Sequence, residues 1–229
     1  MQTEVLTFIA DFKVHGRFAC LSHQETLSFW QRVLTCAKVP VLYSKGFNPR
    51  PRLSLPLPRS VGVQSDCERL CAAVAAEDFC PEAAGRAVAA LLPEGCTLTG
   101  TNAIPGKAAF YPVSATYQFT LSAAPDAARR DHLEHCIKQL TTNEPVVQLR
   151  RMENNRQRPV DIRPFLEGFS RDKTLIQTVC AIRPTGTVRI DELMHWLGLE
   201  PCDLAEPVRR IAVQWDCHTN QFQGENQLS

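Results

Sequence analysis

Several absences narrow the reading of this 229-residue chain before any motif is weighed. No run of about 18 or more apolar residues occurs, which argues against a membrane-spanning helix. Met1-Gln2-Thr3-Glu4 leads into a strand-like run rather than a basic stretch and an apolar one, so no secretory signal is expected and the chain reads as cytoplasmic. The ten cysteines, at 20, 36, 67, 71, 80, 96, 136, 180, 202 and 217, include no C-x-x-C pair and no group of four at zinc-ribbon spacing. They are expected to be reduced, structural thiols among apolar neighbours, as in Phe18-Ala19-Cys20-Leu21 and Thr178-Val179-Cys180-Ala181, and no metal site is expected. Aromatic residues make up only 7%, and 25 basic side chains nearly cancel 24 acidic ones, so the composition as a whole carries no nucleic-acid signature. What is present is 44% apolar residues, enough to offset the entropy of ordering and to exclude a disordered chain. The length suits one large domain or two of roughly 100 residues.

Strand-like and helix-like patterns alternate twice. Residues 5–20 predict a strand or a bent hairpin, broken at His15-Gly16 and resumed at Arg17. Ser22-His23-Gln24-Glu25 predicts a capping box opening a helix with Leu27, Trp30, Leu34 and Ala37 on one face, and Val39-Pro40 stops it. A second strand begins at Val41-Leu42-Tyr43, is interrupted by the glycine and prolines of residues 46–52, and resumes at Leu53 to Leu57. Cys67 to Val74 reads as a third strand, Pro81 to Leu92 as a second helix and Cys96 to Ala103 as a fourth strand. That order is the ferredoxin-like unit, βαββαβ. Residues 104–114 read as a linker, and the order then repeats. The second round has strands over 116–121, 146–151, 173–182 and 208–215, with helices over 127–140 and 190–197. The expected fold is α+β, two tandem ferredoxin-like halves over 1–103 and 115–216, followed by a polar tail over 217–229.

Charge is unevenly spread along the chain. Residues 43–59 carry Lys45, Arg50, Arg52 and Arg59 with no acid, for +4; residues 148–163 carry five arginines against Glu153 and Asp161, for +3. Both stretches follow the second strand of their half, so two basic loops could line one groove. Arginine's planar fork suits phosphate. The segment Tyr43-Ser44-Lys45-Gly46-Phe47-Asn48-Pro49-Arg50-Pro51-Arg52 adds aromatic faces, hydroxyls and an amide, a combination suited to single-stranded RNA. Its prolines reduce the cost of ordering it. The same loop also reads as a solvated basic stretch whose arginines pair with acids such as Glu68 or Glu82.

His23, at the first turn of a helix and beside Ser22, is the candidate for acid–base work. His132 and His135 lack facing carboxylates that would complete a metal site, and His195 beside Trp196 reads as packed. Asp161 and Arg163, two apart on an extended chain, share a face and can pair or jointly hold a ligand.

The run Gly16-Arg17-Phe18-Ala19-Cys20-Leu21-Ser22-His23, the loop from Tyr43 to Arg52, the segment Leu57 to Ser65 and the piece Asp161-Ile162-Arg163-Pro164 resemble a bacterial family of unknown function, the radical SAM-linked proteins. Its pattern has the form G-R-L-R-F-L-S-H, then Y-S-x-G-F-N-P-H-P-R, then L-P-x-G-x-x-S, then V-D-I-R. Here Arg50 stands where the family usually has histidine, and Ala19-Cys20 where it has Arg-Phe. The resemblance implies a cobalamin-binding radical SAM enzyme as partner. S-adenosylmethionine, the iron–sulfur cluster and cobalamin are then expected in that partner and no cofactor in this chain, which lacks a C-x-x-x-C-x-x-C motif.

The leading expectation is an accessory module that presents tRNA or rRNA for modification and is not catalytic on its own. Arg50, Arg52, Arg158 and Arg163 would grip phosphate, with Tyr43 and Phe47 stacking on bases. Ser22, His23, Ser44, Lys45, Asn48 and Asp161 would contribute further contacts. Two alternatives are a metal-free ribonuclease with His23 as general base and Lys45 or Arg52 stabilising the transition state, and an adaptor that docks the radical SAM enzyme through the loop.

Overall fold

The computed structural model describes residues 4–142, 144–152 and 156–220. The chain is mixed α/β and divides into two compact units, one from residues 1–61, 65–111 and 215–229, the other from 62–64 and 112–214.

The first unit contains β1 (Val5–Val14), α1 (His23–Cys36), β2 (Leu53–Ser54), β3 (Gln64–Ala75), α2 (Pro81–Ala89) and β4 (Cys96–Pro105). Its strands lie in the order β4-β1-β3, with β2 also paired to β3, and each of these pairings is antiparallel. Alternation along β1 places Phe8, Ala10, Phe12 and Val14 on one face, where they form a core with Trp30 and Leu34 of α1 and Val88 of α2. Residues 16–20 do not resume a strand. They form a 3-10 turn, because Gly16 at φ 56° turns the chain and the His15 N–H is held by the Gly95 carbonyl at 2.9 Å. Gly95 itself sits at φ 89°, and a Cβ there would lie 2.5 Å from the His15 carbonyl oxygen.

The second unit contains α3 (Ala127–Thr141), β6 (Val147–Arg151), β7 (Gln157–Asp161), β8 (Leu166–Asp172), β9 (Leu175–Ala181) and α4 (Ile190–Trp196), with most of β5 (Lys107–Thr120) and the first half of β10 (Arg209–Asn220). The strands follow the order β10-β5-β9-β8, while β6 and β7 form a separate two-stranded hairpin. The strand paired with β9 is therefore β8, not the expected strand over 146–151. That strand is one arm of the hairpin, which is inserted between α3 and β8. The core gathers Phe119, Leu133, Ile162, Ile176, Leu193 and Trp196. The segment expected as a linker is taken up by the end of β4, a turn at Gly106 (φ 76°) and the start of β5. Residues 217–220 of the expected tail continue β10, and 221–229 lie outside the described residues. No helix among the described residues is long and apolar enough to cross a membrane.

All ten cysteines are free thiols, and no three His, Cys, Asp or Glu side chains among the described residues gather in a way that could hold a metal. Cys20 is exposed rather than buried among its apolar neighbours. Burial pushes Cys71, Cys96 and Cys180 up to about 12 and Cys136 to about 11. Because the thiolate is the nucleophile, iodoacetamide at about pH 8 is expected to alkylate Cys20, Cys36, Cys80, Cys202 and Cys217 in the folded chain and to spare those four until urea is added. Mass spectrometry of tryptic peptides reads this out.

Candidate functional site

The basic loop of the first unit is a preformed excursion closed at its neck. The Ser44 N–H donates to the Arg50 carbonyl at 2.8 Å, the Arg50 N–H to Ser44 Oγ at 3.0 Å, and the Arg52 N–H to the Leu42 carbonyl at 2.8 Å. Tyr43 and Pro51 face each other across this neck. The neck is joined to β3, since the Leu42 N–H donates to the Ala73 carbonyl at 2.7 Å and the Ala73 N–H to the Arg52 carbonyl at 2.8 Å. What projects is the tip Lys45-Gly46-Phe47-Asn48-Pro49, all exposed, with the Phe47 ring wholly in solvent. Gly46, at φ 140°, takes a turn that a side chain would strain.

The loop stands beside α1, whose position is fixed at its start. The Ser22 hydroxyl and N–H both donate to the Glu25 carboxylate, at 2.7 and 2.8 Å, and the Glu25 N–H donates back to Ser22 Oγ at 3.3 Å. These bonds hold the Glu25 carboxyl below its ordinary range. Ser22 thus serves as the helix cap. The Arg59 guanidinium donates to the carbonyls of Ala19 at 2.6 Å and Leu21 at 3.3 Å, tying down the turn that leads into the helix, so this arginine does not join the loop's exposed charge.

Between the helix and the loop lies an open cleft of about 540 Å³, walled by Gln24, Ser28 and Gln31 on one side and Pro49, Arg50 and Pro51 on the other. A narrower recess of about 160 Å³ adjoins it, sharing Gln31, Pro51 and Leu53 and reaching Tyr43 and Lys38. Gln24, Ser28, Gln31 and Thr35 recur at steps of four and three, so one polar stripe of α1 lines both spaces, and Lys38 just past the helix end extends it. Sequence reasoning followed the apolar stripe of this helix and missed the polar one, although the same spacing carries it. Ser28 and Thr35 donate their hydroxyls to the carbonyls of Gln24 and Gln31, at 2.9 and 2.8 Å, while the amides of Gln24 and Gln31 have no partner among the described residues.

The cations of the loop are also unpaired. Among the described residues the side chains of Lys45, Arg50 and Arg52 make no hydrogen bond or ion pair. Other arginines are committed: Arg69 to Asp11 at 2.7 and 3.0 Å, Arg129 to Asp203 at 2.9 Å twice, and Arg150 to Glu192 at 2.6 and 2.8 Å. The expected pairing of the loop with Glu82 is not made; that carboxylate accepts from the Cys80 thiol at 3.2 Å. His23 is half-buried at the first position of α1, with no side-chain partner among the described residues to orient it, and it is not among the residues walling the cleft.

The second basic stretch is organised differently. Arg163 does not pair with the Asp161 carboxylate through its side chain and does not present its fork to solvent. Its Nε donates to the carbonyls of Gln139 and Thr142, at 3.0 and 2.9 Å, and its terminal nitrogens to those of Leu140 and Leu166, so it caps the end of α3. The Asp161 carboxylate accepts from the N–H groups of Val146 and Arg163, at 2.8 and 3.0 Å, closing the base of the hairpin. The extended geometry expected for this pair fails because Arg163 begins a 3-10 turn. Arg158 is exposed on β7 and has no side-chain partner among the described residues. His132 Nε2 lies 2.9 Å from the Trp196 carbonyl, and His195 is exposed rather than packed.

The site is thus a closed basic loop beside a helix-lined cleft in a mixed α/β chain. Residues 8–190 match the family described as "Uncharacterized protein conserved in bacteria (DUF2344)", and the chain belongs to that family. No curated protein matches it. Among solved structures, a chain of the "Crystal Structure of a Cbf5-Nop10-Gar1 Complex" is similar over 90% of this chain and 48% of its own length, at 13% identity and a TM-score of 0.41. This chain thus spans about half the length of that one.

Proposed function

We propose that this protein is an accessory RNA-binding module that holds tRNA or rRNA for modification by a partner radical SAM enzyme. In this reading its scaffold is two ferredoxin-like halves, the second carrying the β6–β7 hairpin as an insertion. The repeated strand order, β4-β1-β3-β2 and β10-β5-β9-β8, supports that scaffold. The observation that carries the RNA reading is the set of three cations, Lys45, Arg50 and Arg52, that have no partner among the described residues, on a closed loop that also exposes Tyr43 and Phe47. A polyanion would supply the counter-charge that these side chains lack within the chain, and the adjacent rings offer faces to unstacked bases. The partner is inferred from the loop and Gly16–His23 motifs, and the reading places S-adenosylmethionine, the iron–sulfur cluster and cobalamin there. A ribonuclease is the weaker reading, since the His23 ring has no oriented contact that would set its tautomer.

Ultraviolet irradiation of the protein with bulk RNA, followed by nuclease and protease digestion, tests the assignment. The expected nucleotide adduct lies on the peptide containing Tyr43 and Phe47. Adducts confined to other peptides, or none, would overturn it.

A further inference from the structure

The narrow recess differs from the open cleft in chemistry as well as size. Its lining mixes apolar Leu34, Val39, Val41 and Leu53 with polar Thr35 and Lys38, and includes the half-exposed Tyr43 side chain. There the Gln31 amide offers a donor and an acceptor side by side, with neither satisfied among the described residues. A volume of about 160 Å³ is close to that of an apolar cavity, about 150 Å³, that takes up a benzene-sized ring. Apolar side chains, an aromatic neighbour and one free amide suit a planar heterocycle with a polar edge, and the Lys38 ammonium at the same recess suits a phosphate attached to it. The open cleft, by contrast, has Arg50 in its wall and is contiguous with the recess through Gln31 and Pro51.

We infer that the recess takes one unstacked pyrimidine base of a single-stranded RNA, with Gln31 hydrogen-bonding its edge and Arg50 holding the neighbouring phosphate. This rests on the RNA-binding reading and adds to it a preference among bases. The preference follows from size: a one-ring base fits the recess of about 160 Å³ with room to turn its edge to Gln31, whereas a two-ring base occupies most of it and has less freedom to do so. An amide can match the adjacent donor and acceptor of either cytosine or uracil by turning over, so Gln31 does not choose between them.

Fluorescence anisotropy with labelled RNA hexamers of uridine, cytidine and adenosine tests the inference on the full chain. The uridine and cytidine hexamers are expected to bind at least fivefold more tightly than the adenosine hexamer. Thr35→Phe, which fills the recess from an exposed helix position, should weaken the pyrimidine hexamers about tenfold and abolish the preference without changing the salt dependence. Gln31→Ala, also exposed, should weaken the same two hexamers about fivefold and leave the adenosine hexamer unaffected. Equal binding of the three hexamers, or a pyrimidine preference that survives Thr35→Phe and so reflects strand flexibility, would overturn the inference while leaving the RNA reading intact. Absence of salt-dependent binding to any hexamer would overturn both.

Discussion

Replacing Glu192 by alanine is expected to destabilise the second unit by about 3–5 kcal/mol, the cost of leaving one partner of a buried ion pair behind. Glu192 is 2% exposed, and its carboxylate accepts two hydrogen bonds from Arg150, at 2.6 and 2.8 Å, and one from the Arg189 N–H at 2.8 Å. The Arg150 guanidinium also donates to the Thr187 carbonyl at 2.8 Å. One side chain of α4 thus fixes the helix start and the β6–β7 hairpin together. Thermal unfolding followed by circular dichroism should show a midpoint lower by roughly 10 °C. The paired replacement Arg150→Met with Glu192→Leu should recover much of the loss, because it removes both charges and fills the space.

The same pair sets a pH dependence. Burial acts to raise the Glu192 pKa, but the bonds from Arg150 and Arg189 and the charge of both arginines outweigh it and hold the group below its ordinary 4.5. A carboxyl whose pKa is lower folded than unfolded contributes stability above the unfolded value and loses it as pH falls through the folded one. The pair therefore contributes fully at neutral pH, and its share of stability falls away in acid below about pH 4.5.

Local chemistry was readable from the sequence, and long-range commitments were not. Ser22 and Glu25 announce their capping box within four residues, and the glycine and prolines of residues 46–51 announce an irregular loop. Arg150 and Arg158 look equivalent along the chain. They differ because α4, some forty positions later, brings Glu192 to Arg150, while Arg158 has no side-chain partner among the described residues. Arg163 was misjudged for a related reason: nothing near it in sequence marks the carbonyls that end α3 as its partners. β8 escaped notice because Leu166-Glu167-Gly168-Phe169 breaks strict alternation, and its pairing with β9 accommodates this by a register shift between Leu166 and Gly168.

The salt dependence of RNA affinity tests the central claim most directly. Replacing Lys45, Arg50 and Arg52 together by alanine touches no hydrogen bond of a side chain and no core position, and the neck bonds of the loop use main-chain groups and Ser44. The variant should fold as before. If these cations neutralise three phosphates of a single strand, the slope of log affinity against log salt should become shallower by about 2, at roughly 0.7 per contact. Affinity near 0.1 M salt should fall on the order of a hundredfold, about 2.8 kcal/mol. An unchanged slope and affinity in the triple variant, measured with the same RNA across the same salt series, would contradict the account.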